Sequence, residues 1–406
     1  MIQNFLFGAA TASHQVEGNT HNDWTVWEHK NAKELARRAG EKKWPDYILN
    51  GFPSPLQEEN YVSARACDHY HRFREDFDVA KSLGHTAHRF SIEWSRVEPE
   101  EGKFDEKEIA HYREVVAALR ERGMEPFVTL WHYTLPVWLA EKGGVMNEKF
   151  PEYFSHYAEH MARSLVDVSF WMTINEPEIV AFHGYYQGTR PPEKHGVMPL
   201  YRSVNHMVKA HCVAYRSIKN IAPEARVGAA MHLSWFESAG GLMNDALKYL
   251  MDRFVNFYFL ERTIRFSDFV GVNHYFHNRI DSGLNKNRNK ETTDLGWEIY
   301  PESMYQILKQ LQKYGLPIYI TENGLADARD AERALFIENY LASVKKAMNE
   351  GVDVRGYFHW SLLDNFEWDS GFWPRFGLVE IDYHTLERKV RPSARVYKKI
   401  IETWQA

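Results

Sequence analysis

The chain has 406 residues, of which 26% are charged and 44% hydrophobic, and its formal net charge at pH 7 is −6. These are ordinary values for a globular protein, and the negative charge disfavours nucleic acid as a main partner. With two cysteines and no run of about 18 apolar residues, the sequence excludes a disulfide framework, a cysteine zinc site and a transmembrane helix. No leader-like pattern begins the chain, so we expect a cytoplasmic protein without membrane association.

Short apolar runs typical of buried strands alternate with longer amphipathic stretches typical of helices. The predicted strands cover residues 4–12, 86–92, 125–131, 168–175, 225–233, 268–275, 317–323 and 354–362. The predicted helices cover residues 58–83, 105–122, 150–165, 200–221, 242–264, 301–314, 329–350 and 392–404. Strand-then-helix units in this number, without a Pro/Gly/Ser-rich linker, predict an α/β fold: a single (β/α)8 TIM barrel over residues 1–406.

The longest connections all follow predicted strands. They cover residues 13–57, 176–200, 276–300 and 363–391. In a barrel of parallel strands these loops lie at the C-terminal face, where barrel enzymes build their active sites. We therefore expect elaborated loops around a site at that face.

Two glutamates close predicted strands. Glu176 lies in SFWMTINEP and Glu322 in PIYITENG. A buried carboxyl is unfavourable unless the site uses it, and two carboxyls across a barrel mouth are what retaining hydrolysis of a glycosidic bond requires. The aromatic strand before Glu176 would suit a general acid that is protonated near neutral pH. Arg89 and Tyr275 stand at the ends of other strands, and they can supply the cation and hydroxyl that keep a nucleophile ionised.

Seven motifs in order carry a resemblance that covers nearly the whole chain. They are FLFGAATASHQVEG, HRFSIEWSRVEPEEGKFD, LWHYTLP, TINEP, VGVNHYF, ITENG and HWSLLDNFEWDSGFWPRFGL. The chain resembles family 1 glycoside hydrolases, which are (β/α)8 β-glycosidases. The resemblance implies that Glu176 is the acid/base and Glu322 the nucleophile of a retaining mechanism. It also implies that Asn175 binds the sugar 2-OH, and that Arg89 and Tyr275, with Asn273 beside them, orient Glu322.

The resemblance further implies a site for the glycone, the sugar unit that is released. Its side chains are Gln15, His132, Glu367 and Trp368 for the O3, O4 and O6 hydroxyls, Trp360 as the floor under the ring, and Phe376 near O6. A negative charge at Glu367 would repel a phosphate, so we expect unphosphorylated sugars. Residues 372–374 read Phe–Trp–Pro and depart from the family's usual pattern, so the loop above the glycone is expected to differ in shape.

The implied activity is hydrolysis of terminal non-reducing β-D-glycosyl residues by a β-glucosidase, with β-galactosidase and β-fucosidase activity left open. The implied partner is a small β-glycoside or oligosaccharide, and neither a cofactor nor a metal is implied. The oligomeric state stays open. A transglycosylase is an alternative, because only the acceptor that intercepts the intermediate differs. A non-catalytic sugar-binding relative is disfavoured because both carboxylates remain.

A zinc metalloprotease is an alternative from another class. His156, Glu159 and His160 in HYAEH fit the H-x-x-E-H pattern. The motif lies within a predicted helix, away from the expected active face. With 20 histidines in the chain, a chance match is the favoured explanation.

Overall fold

The computed structural model describes residues 5–405, and its centre is a closed barrel of eight parallel strands. The strands of the chain are β1 (Leu6–Ala10), β2 (Ala87–Ser91), β3 (Glu125–Trp131), β4 (Phe170–Asn175), β5 (Arg226–His232), β6 (Trp235–Ser238), β7 (Val270–Asn273), β8 (His277–Ile280), β9 (Ile318–Asn323), β10 (Val354–Trp360), β11 (Val379–Ile381) and β12 (Arg388–Val390). The barrel order is β1, β2, β3, β4, β5, β7, β9 and β10, which returns to β1.

This order confirms the predicted (β/α)8 TIM barrel. The other strands form two small sheets outside the barrel, one from β6 and β8 and one from β11 and β12. Of the first predicted strand, Asn4 lies outside the described residues, as do residues 1–3 and 406. The assignment of residues 1–406 to one domain stays a prediction.

Helices surround the barrel and fill its connections. They are α1 (Ser13–Val16), α2 (Asp23–Ala39), α3 (Asp46–Leu49), α4 (His69–Ser82), α5 (Trp94–Val97), α6 (Glu106–Glu121), α7 (Val137–Glu141), α8 (Phe150–Ser164), α9 (Pro177–Ala181), α10 (Val197–Ile221), α11 (Leu242–Met251), α12 (Tyr258–Thr263), α13 (Glu302–Leu311), α14 (Arg333–Asn349) and α15 (Pro392–Gln405). Short 3-10 turns cover Glu58–Tyr61, Gly144–Met146, Ile264–Phe266, Gln312–Tyr314 and Trp368–Ser370, and π-helical turns cover Phe182–Gln187 and Asp252–Asn256.

Most predicted helices match these bounds, and α6 shows why. The Asp105 side chain caps it by accepting hydrogen bonds from the backbone N–H groups of Lys107 and Glu108, and its apolar face is buried. Two predictions were wrong in extent. The helix predicted over 58–83 begins only at His69, because Ala64, Ala66 and Asp68 adopt left-handed backbone angles that interrupt a helix. The helix predicted over 242–264 is divided by a π-helical turn.

The connection after β1 contains a long helix that periodicity did not predict. Asn22 begins α2 with a capping box, in which its side chain accepts from the Thr25 N–H while the Thr25 hydroxyl accepts from the Asn22 N–H. Mean hydropathy is low along this segment, and the buried side of α2 faces loops rather than the barrel. The helix therefore belongs to the elaborated C-terminal face, and its first residues adjoin the loop after β3.

Aromatic side chains fill the barrel interior. Phe127 and Phe170 stack with ring centroids 4.1 Å apart, and Tyr319 and Phe358 pack against Phe127. A second and larger apolar cluster lies between the strands and the outer helices. Within the part of the chain that the structure describes, no helix is both long and apolar enough to cross a membrane.

Candidate active site

The C-terminal ends of the barrel strands bring the predicted site residues together. Arg89 lies in β2 and His132 directly after β3, while Asn175 ends β4 and Asn273 ends β7. Because all these strands are parallel, their C-terminal ends meet at one mouth. Gln15, Glu367 and Trp368 reach the same mouth from the connections that follow β1 and β10.

Glu322, the penultimate residue of β9, is buried and held at both oxygens. Arg89 Nη1 donates to Glu322 Oε1 at 2.5 Å, and the Tyr275 hydroxyl donates to Oε2 at 2.8 Å. The turn after β9 requires glycine, since a Cβ on Gly324 would lie 1.8 Å from the carbonyl oxygen of Trp360. The cation and the hydroxyl predicted beside Glu322 are therefore in contact with it.

Glu176 follows the last residue of β4 and adopts a left-handed backbone with φ of 44°. This backbone angle is uncommon for a residue with a Cβ and turns the chain sharply into α9, which begins with Pro177. Asn273 Nδ2 donates to Glu176 Oε1 at 2.9 Å, and the Tyr133 hydroxyl donates to Oε2. His232 Nδ1 lies 3.6 Å from Oε1. The partners of Glu176 thus include no permanent cation.

Arg89, Asn175 and Asn273 connect the two glutamates. Arg89 Nη2 donates to Asn175 Oδ1 at 2.6 Å, and Asn273 Nδ2 donates to the same oxygen at 3.1 Å. The Thr321 hydroxyl donates to Asn273 Oδ1 at 2.7 Å, which fixes the orientation of the Asn273 amide. With so many shared partners, none of these side chains can turn without breaking several hydrogen bonds, so the site is preorganised.

The two glutamates have different proton affinities. Burial raises the pKa of Glu322 to about 7, the charge of Glu176 adds to this, and Arg89 and Tyr275 act against it. Burial acts in the same direction on Glu176, but His232, Tyr133 and Asn273 outweigh it and lower its pKa to about 2. This order is the reverse of the sequence-based expectation, in which Glu176 carries the proton.

The basic side chains beside the two glutamates differ in kind: His232 lies near Glu176 and Arg89 contacts Glu322. The strongest influence that lowers the pKa of Glu176 is the approach of His232, whose Nδ1 lies 3.6 Å from Oε1, and the charge of His232 exists only while the imidazole is protonated. The Arg89 guanidinium is charged at any working pH. When His232 is neutral, the permanent cation favours charge on Glu322, and the proton that the coupled pair shares moves toward Glu176.

Gln15 and Glu367 form one wall of the mouth. Gln15 Nε2 donates to Asn365 Oδ1 at 2.9 Å, to the Phe366 carbonyl oxygen at 2.7 Å and to Glu367 Oε2 at 3.4 Å. Among residues 5–405 the buried Oε1 of Gln15 and Nδ1 of His132 have no hydrogen-bond partner. Buried polar atoms without partners are unfavourable, so these two atoms are suited to bind a polar ligand such as a sugar hydroxyl.

Aromatic rings form the remaining walls. His132 is nearly parallel to Trp360 and to Trp368, with ring centroids 6.0 and 5.8 Å away, and its Nε2 contacts Asn175 Nδ2 at 3.1 Å. Phe376 is buried, and its ring lies 6.5 Å from that of Tyr275. The predicted site residues are therefore joined by contacts into one network, and the structure brings all of them together.

The carboxyl of Glu367 does not support the charge-based expectation of unphosphorylated sugars. Burial raises the pKa of Glu367 to about 8, with Arg190 acting against it and Glu322, Asp369 and Glu176 adding to it. At pH 7 this carboxyl is therefore mostly neutral, and it can donate a hydrogen bond to a sugar hydroxyl. Repulsion by a charged Glu367 does not exclude a phosphate at that pH.

Sequence reasoning missed three residues beside Glu176, namely Tyr133, His232 and Glu178. Tyr133 is adjacent to His132 in LWHYTLP, and His232 ends β5, so the rule that polar residues at strand ends form the site would have found His232. No pattern pointed to Glu178. Its oxygens are buried without a hydrogen-bond partner among residues 5–405, and burial, followed by the charge of Glu176, raises its pKa well above the usual value.

The H-x-x-E-H residues lie on α8 and are engaged elsewhere. Glu159 pairs with Arg163 at 2.8 Å, and His160 stacks on Phe104 with centroids 3.7 Å apart. Across residues 5–405 the structure contains no group of three or more His, Cys, Asp or Glu side chains arranged to hold a metal ion. The motif therefore gives the zinc protease alternative no support.

Comparison with known proteins identifies the family. The sequence profile of glycosyl hydrolase family 1 matches residues 1–279 and 256–406. Beta-glucosidase A of Thermotoga maritima is 32% identical, over 98% of this chain and 97% of that protein. A beta-glycosidase structure from Pyrococcus horikoshii superimposes with a TM-score of 0.86 at 35% identity, covering 98% of this chain and 93% of that one. The Thermotoga maritima beta-glucosidase in complex with glucoimidazole has a TM-score of 0.85 at 30% identity, covering 98% of each chain.

Proposed function

This chain belongs to glycosyl hydrolase family 1, and from this premise we propose that Glu322 and Glu176 carry out its retaining hydrolysis of β-glycosides. The enzyme is a β-glycosidase that removes terminal non-reducing β-D-glycosyl residues. The observation that carries the assignment is the asymmetry of the pair: Glu322 contacts the guanidinium of Arg89, whereas Glu176 has no permanent cation among its contacts.

The first step forms a glycosyl-enzyme. A carboxylate oxygen of Glu322 bonds to the anomeric carbon as the glycosidic C–O bond breaks, and the proton of Glu176 passes to the leaving oxygen. Arg89 and Tyr275 hold the attacking carboxylate in place. The first step needs neutral Glu176 beside ionised Glu322, which is the distribution that neutral His232 favours.

The second step returns the enzyme to its starting state. Water attacks the anomeric carbon and gives a proton to Glu176, while the bond to Glu322 breaks. In the intermediate Glu322 is an ester without charge, so the repulsion between the two carboxylates is absent. Glu176 is then a carboxylate held by Asn273 and Tyr133, in the form that a general base requires.

The same geometry supports the glycone assignments that the family resemblance implies. Asn175, fixed by Arg89 and Asn273, is proposed to bind the 2-OH. Gln15, His132 and Glu367 are proposed to bind the other hydroxyls, and Trp360, Trp368 and Phe376 to surround the ring.

Phe376 offers no hydrogen-bond donor, and burying a phosphate against it would be unfavourable. We therefore keep the proposal of unphosphorylated sugars on this ground, and we propose that the whole chain is one catalytic domain acting on small glycosides or oligosaccharides.

Covalent trapping tests the central assignment. A 2,4-dinitrophenyl 2-deoxy-2-fluoro-β-glucoside should inactivate the enzyme and leave one glycosyl group on Glu322, identified by peptide mass spectrometry. Proton NMR of early hydrolysis should show the β-anomer as first product. Label on another residue, or the α-anomer first, would contradict the assigned roles. A panel of p-nitrophenyl β-glycosides compared by kcat/KM would then identify the preferred sugar.

A further inference from the structure

Tyr133 occupies an unusual position next to the proposed acid/base. It lies directly beyond His132, in the connection that follows β3, and it is 9% exposed. Its φ of 74° is in the left-handed region that residues with a Cβ rarely adopt. Outliers of this kind persist when the surroundings enforce them, and they are frequent at functional sites.

The ring of Tyr133 is held by its neighbours. Its centroid lies 4.7 Å from that of Trp368 and 5.1 Å from that of His132. Trp24 and Trp27 belong to the same apolar cluster. The ring therefore has little freedom, and the direction of its hydroxyl is set by packing rather than by the hydroxyl's own contact.

The hydroxyl donates to Glu176 Oε2, the oxygen that Asn273 does not contact. Burial raises the pKa of Tyr133 well above its usual value, and the charge of Glu176 adds to this. The phenol therefore keeps its proton at neutral and mildly alkaline pH. Over this range Tyr133 is a donor to Glu176, whereas His232 carries a charge only while its imidazole is protonated.

We propose that Tyr133 is a positioning residue that orients the Glu176 carboxyl. Its hydroxyl also stabilises the negative charge that Glu176 gains when its proton passes to the leaving oxygen. The inference rests on the proposed acid/base role of Glu176. A fixed hydroxyl aimed at developing charge needs no reorganisation during the reaction, and this is the basis of electrostatic stabilisation in enzymes. The benefit is largest for glycosides whose leaving groups need full protonation.

Several other ionisable groups act on Glu176 or respond to its charge. They are His132 from the end of β3, Glu178 and His183 from the connection after β4, His232 from β5, Tyr275 after β7, Glu322 from β9 and Glu367 after β10. Removing only the Tyr133 hydroxyl leaves all of these in place. A change in the pH profile of Tyr133→Phe is therefore attributable to that hydroxyl.

The test compares Tyr133→Phe with wild type on aryl β-glycosides of graded leaving-group ability. We expect kcat/KM for a phenyl glycoside to fall roughly 10-fold, since a hydrogen bond to a charged group is lost. We expect a change below roughly threefold for a 2,4-dinitrophenyl glycoside, which needs little protonation. The high-pH limb of the kcat/KM profile should move to higher pH, because the donor that favours the carboxylate is gone.

Tyr157→Phe is the matched control. Tyr157 is buried on α8, and its hydroxyl donates to the Leu130 carbonyl oxygen at 2.8 Å, away from the glutamates. It should lose a similar amount of thermal stability and keep the wild-type pH profile. An unmoved high-pH limb in Tyr133→Phe, or equal losses on both substrates, would overturn the proposal.

The same substitution in a Glu176→Ala protein distinguishes a failure of this inference from a failure of the proposed function. In Glu176→Ala protein, Tyr133→Phe should cause no further loss on the phenyl glycoside, because Tyr133 acts through Glu176. A further 10-fold loss there would overturn the inference alone. If Glu176→Ala by itself kept wild-type kcat/KM on poor leaving groups, the acid/base assignment would be wrong.

Discussion

Asp364 and Glu367 lie three residues apart in the connection after β10, yet their environments are opposite. Arg391 contacts Asp364 through two nitrogens, at 2.8 and 2.9 Å, and Arg375 Nη1 approaches Asp364 Oδ2 at 3.4 Å. Burial would raise the pKa of Asp364, but Arg391 and Arg375 outweigh it and lower the pKa. Burial instead raises the pKa of Glu367 to about 8, because Arg190 opposes this less than it is opposed at Asp364, and the nearby carboxyls of Glu322, Asp369 and Glu176 add to it.

The difference separates a carboxylate that stabilises the fold from one that serves a site. Asp364 also accepts hydrogen bonds from the backbone N–H groups of Gly377 and Ile381, at 2.9 and 3.4 Å, so its charge is neutralised and its oxygens are engaged. At the barrel mouth, Glu367 lies near the carboxyls of Glu322, Asp369 and Glu176, with Arg89 and Arg190 as nearby cations. Such an arrangement is unfavourable for folding, and it provides groups whose protonation can change during a reaction.

The sharpest test of this comparison is Glu322→Gln. Removing the nucleophile should lower kcat/KM on an aryl β-glucoside by more than about 10⁴-fold. Stability should change by no more than about 1 kcal/mol, because burial opposes the charge of Glu322 and glutamine keeps an oxygen that can accept a hydrogen bond from Arg89. Steady-state kinetics and denaturant unfolding of the same preparation measure both. Retained activity would remove Glu322 from the mechanism.

Glu176→Ala should have a smaller and more selective effect. Without the acid, kcat/KM on an unactivated disaccharide should fall roughly 10³-fold, while a 2,4-dinitrophenyl glycoside should be cleaved to its glycosyl-enzyme at nearly the wild-type rate. Azide should restore turnover of the activated substrate by replacing the base-assisted water. Kinetics on both substrates, with and without azide, decide the point. A uniform loss across leaving groups would argue against an acid/base role.

Asp364→Asn should have the opposite result: the variant should lose stability and keep its catalytic activity. Leaving Arg391 and Arg375 without their carboxylate should destabilise the protein by roughly 3–5 kcal/mol. The wild-type contribution is present above the unfolded pKa and is lost as the pH falls through the lowered folded pKa, so the two proteins should converge in acid. Denaturant titrations at pH 7 and near pH 3 measure this. Equal stability at pH 7 would contradict the structural role of Asp364.

Glu367→Gln should change stability less than Asp364→Asn does, and with the opposite pH dependence. The folded pKa of Glu367 lies above its unfolded value, so its stabilising contribution is complete below the unfolded pKa and is lost as the pH rises toward about 8. Glutamine does not titrate. As the pH rises from 5 to 9, the free energy of unfolding of the variant should therefore increase by about 1–2 kcal/mol relative to that of the wild type. Partial exposure of Glu367 limits the size of this effect. A constant difference across this range would show that Glu367 titrates normally.

Much of the fold could be predicted because local patterns repeat. Eight apolar runs gave the eight barrel strands, and a cap such as Asp105 with an apolar face gave α6 nearly residue for residue. The helix α2 was missed because its mean hydropathy is low and its buried side packs against loop residues such as Tyr61, Tyr133 and Trp368. The predicted start of α4 was wrong because Ala64, Ala66 and Asp68 adopt left-handed backbone angles, and none of them is a glycine, the residue that usually indicates such angles in a sequence.

The site residues that lie within recognisable motifs could be predicted from the sequence. Glu176, Glu322, Arg89 and Tyr275 were found at strand ends, and the family resemblance supplied the glycone residues. Tyr133 and His232 were missed, although each contacts or approaches the proposed acid/base. Their importance comes from distances across the barrel mouth, between segments that are far apart in the chain. A sequence pattern carries no such distance.

The amino-acid sequence by itself determined the barrel, the family and the pair of glutamates, because strand periodicity and ordered motifs are local properties. Only the tertiary structure decided where charge is favourable. Glu322 and Glu176 are buried and Glu367 is partly exposed, and their proton affinities differ because burial, Arg89, His232 and the neighbouring carboxyls act on each to a different extent. Electrostatic energies depend on separation and burial, and both are set only when the chain closes into the barrel.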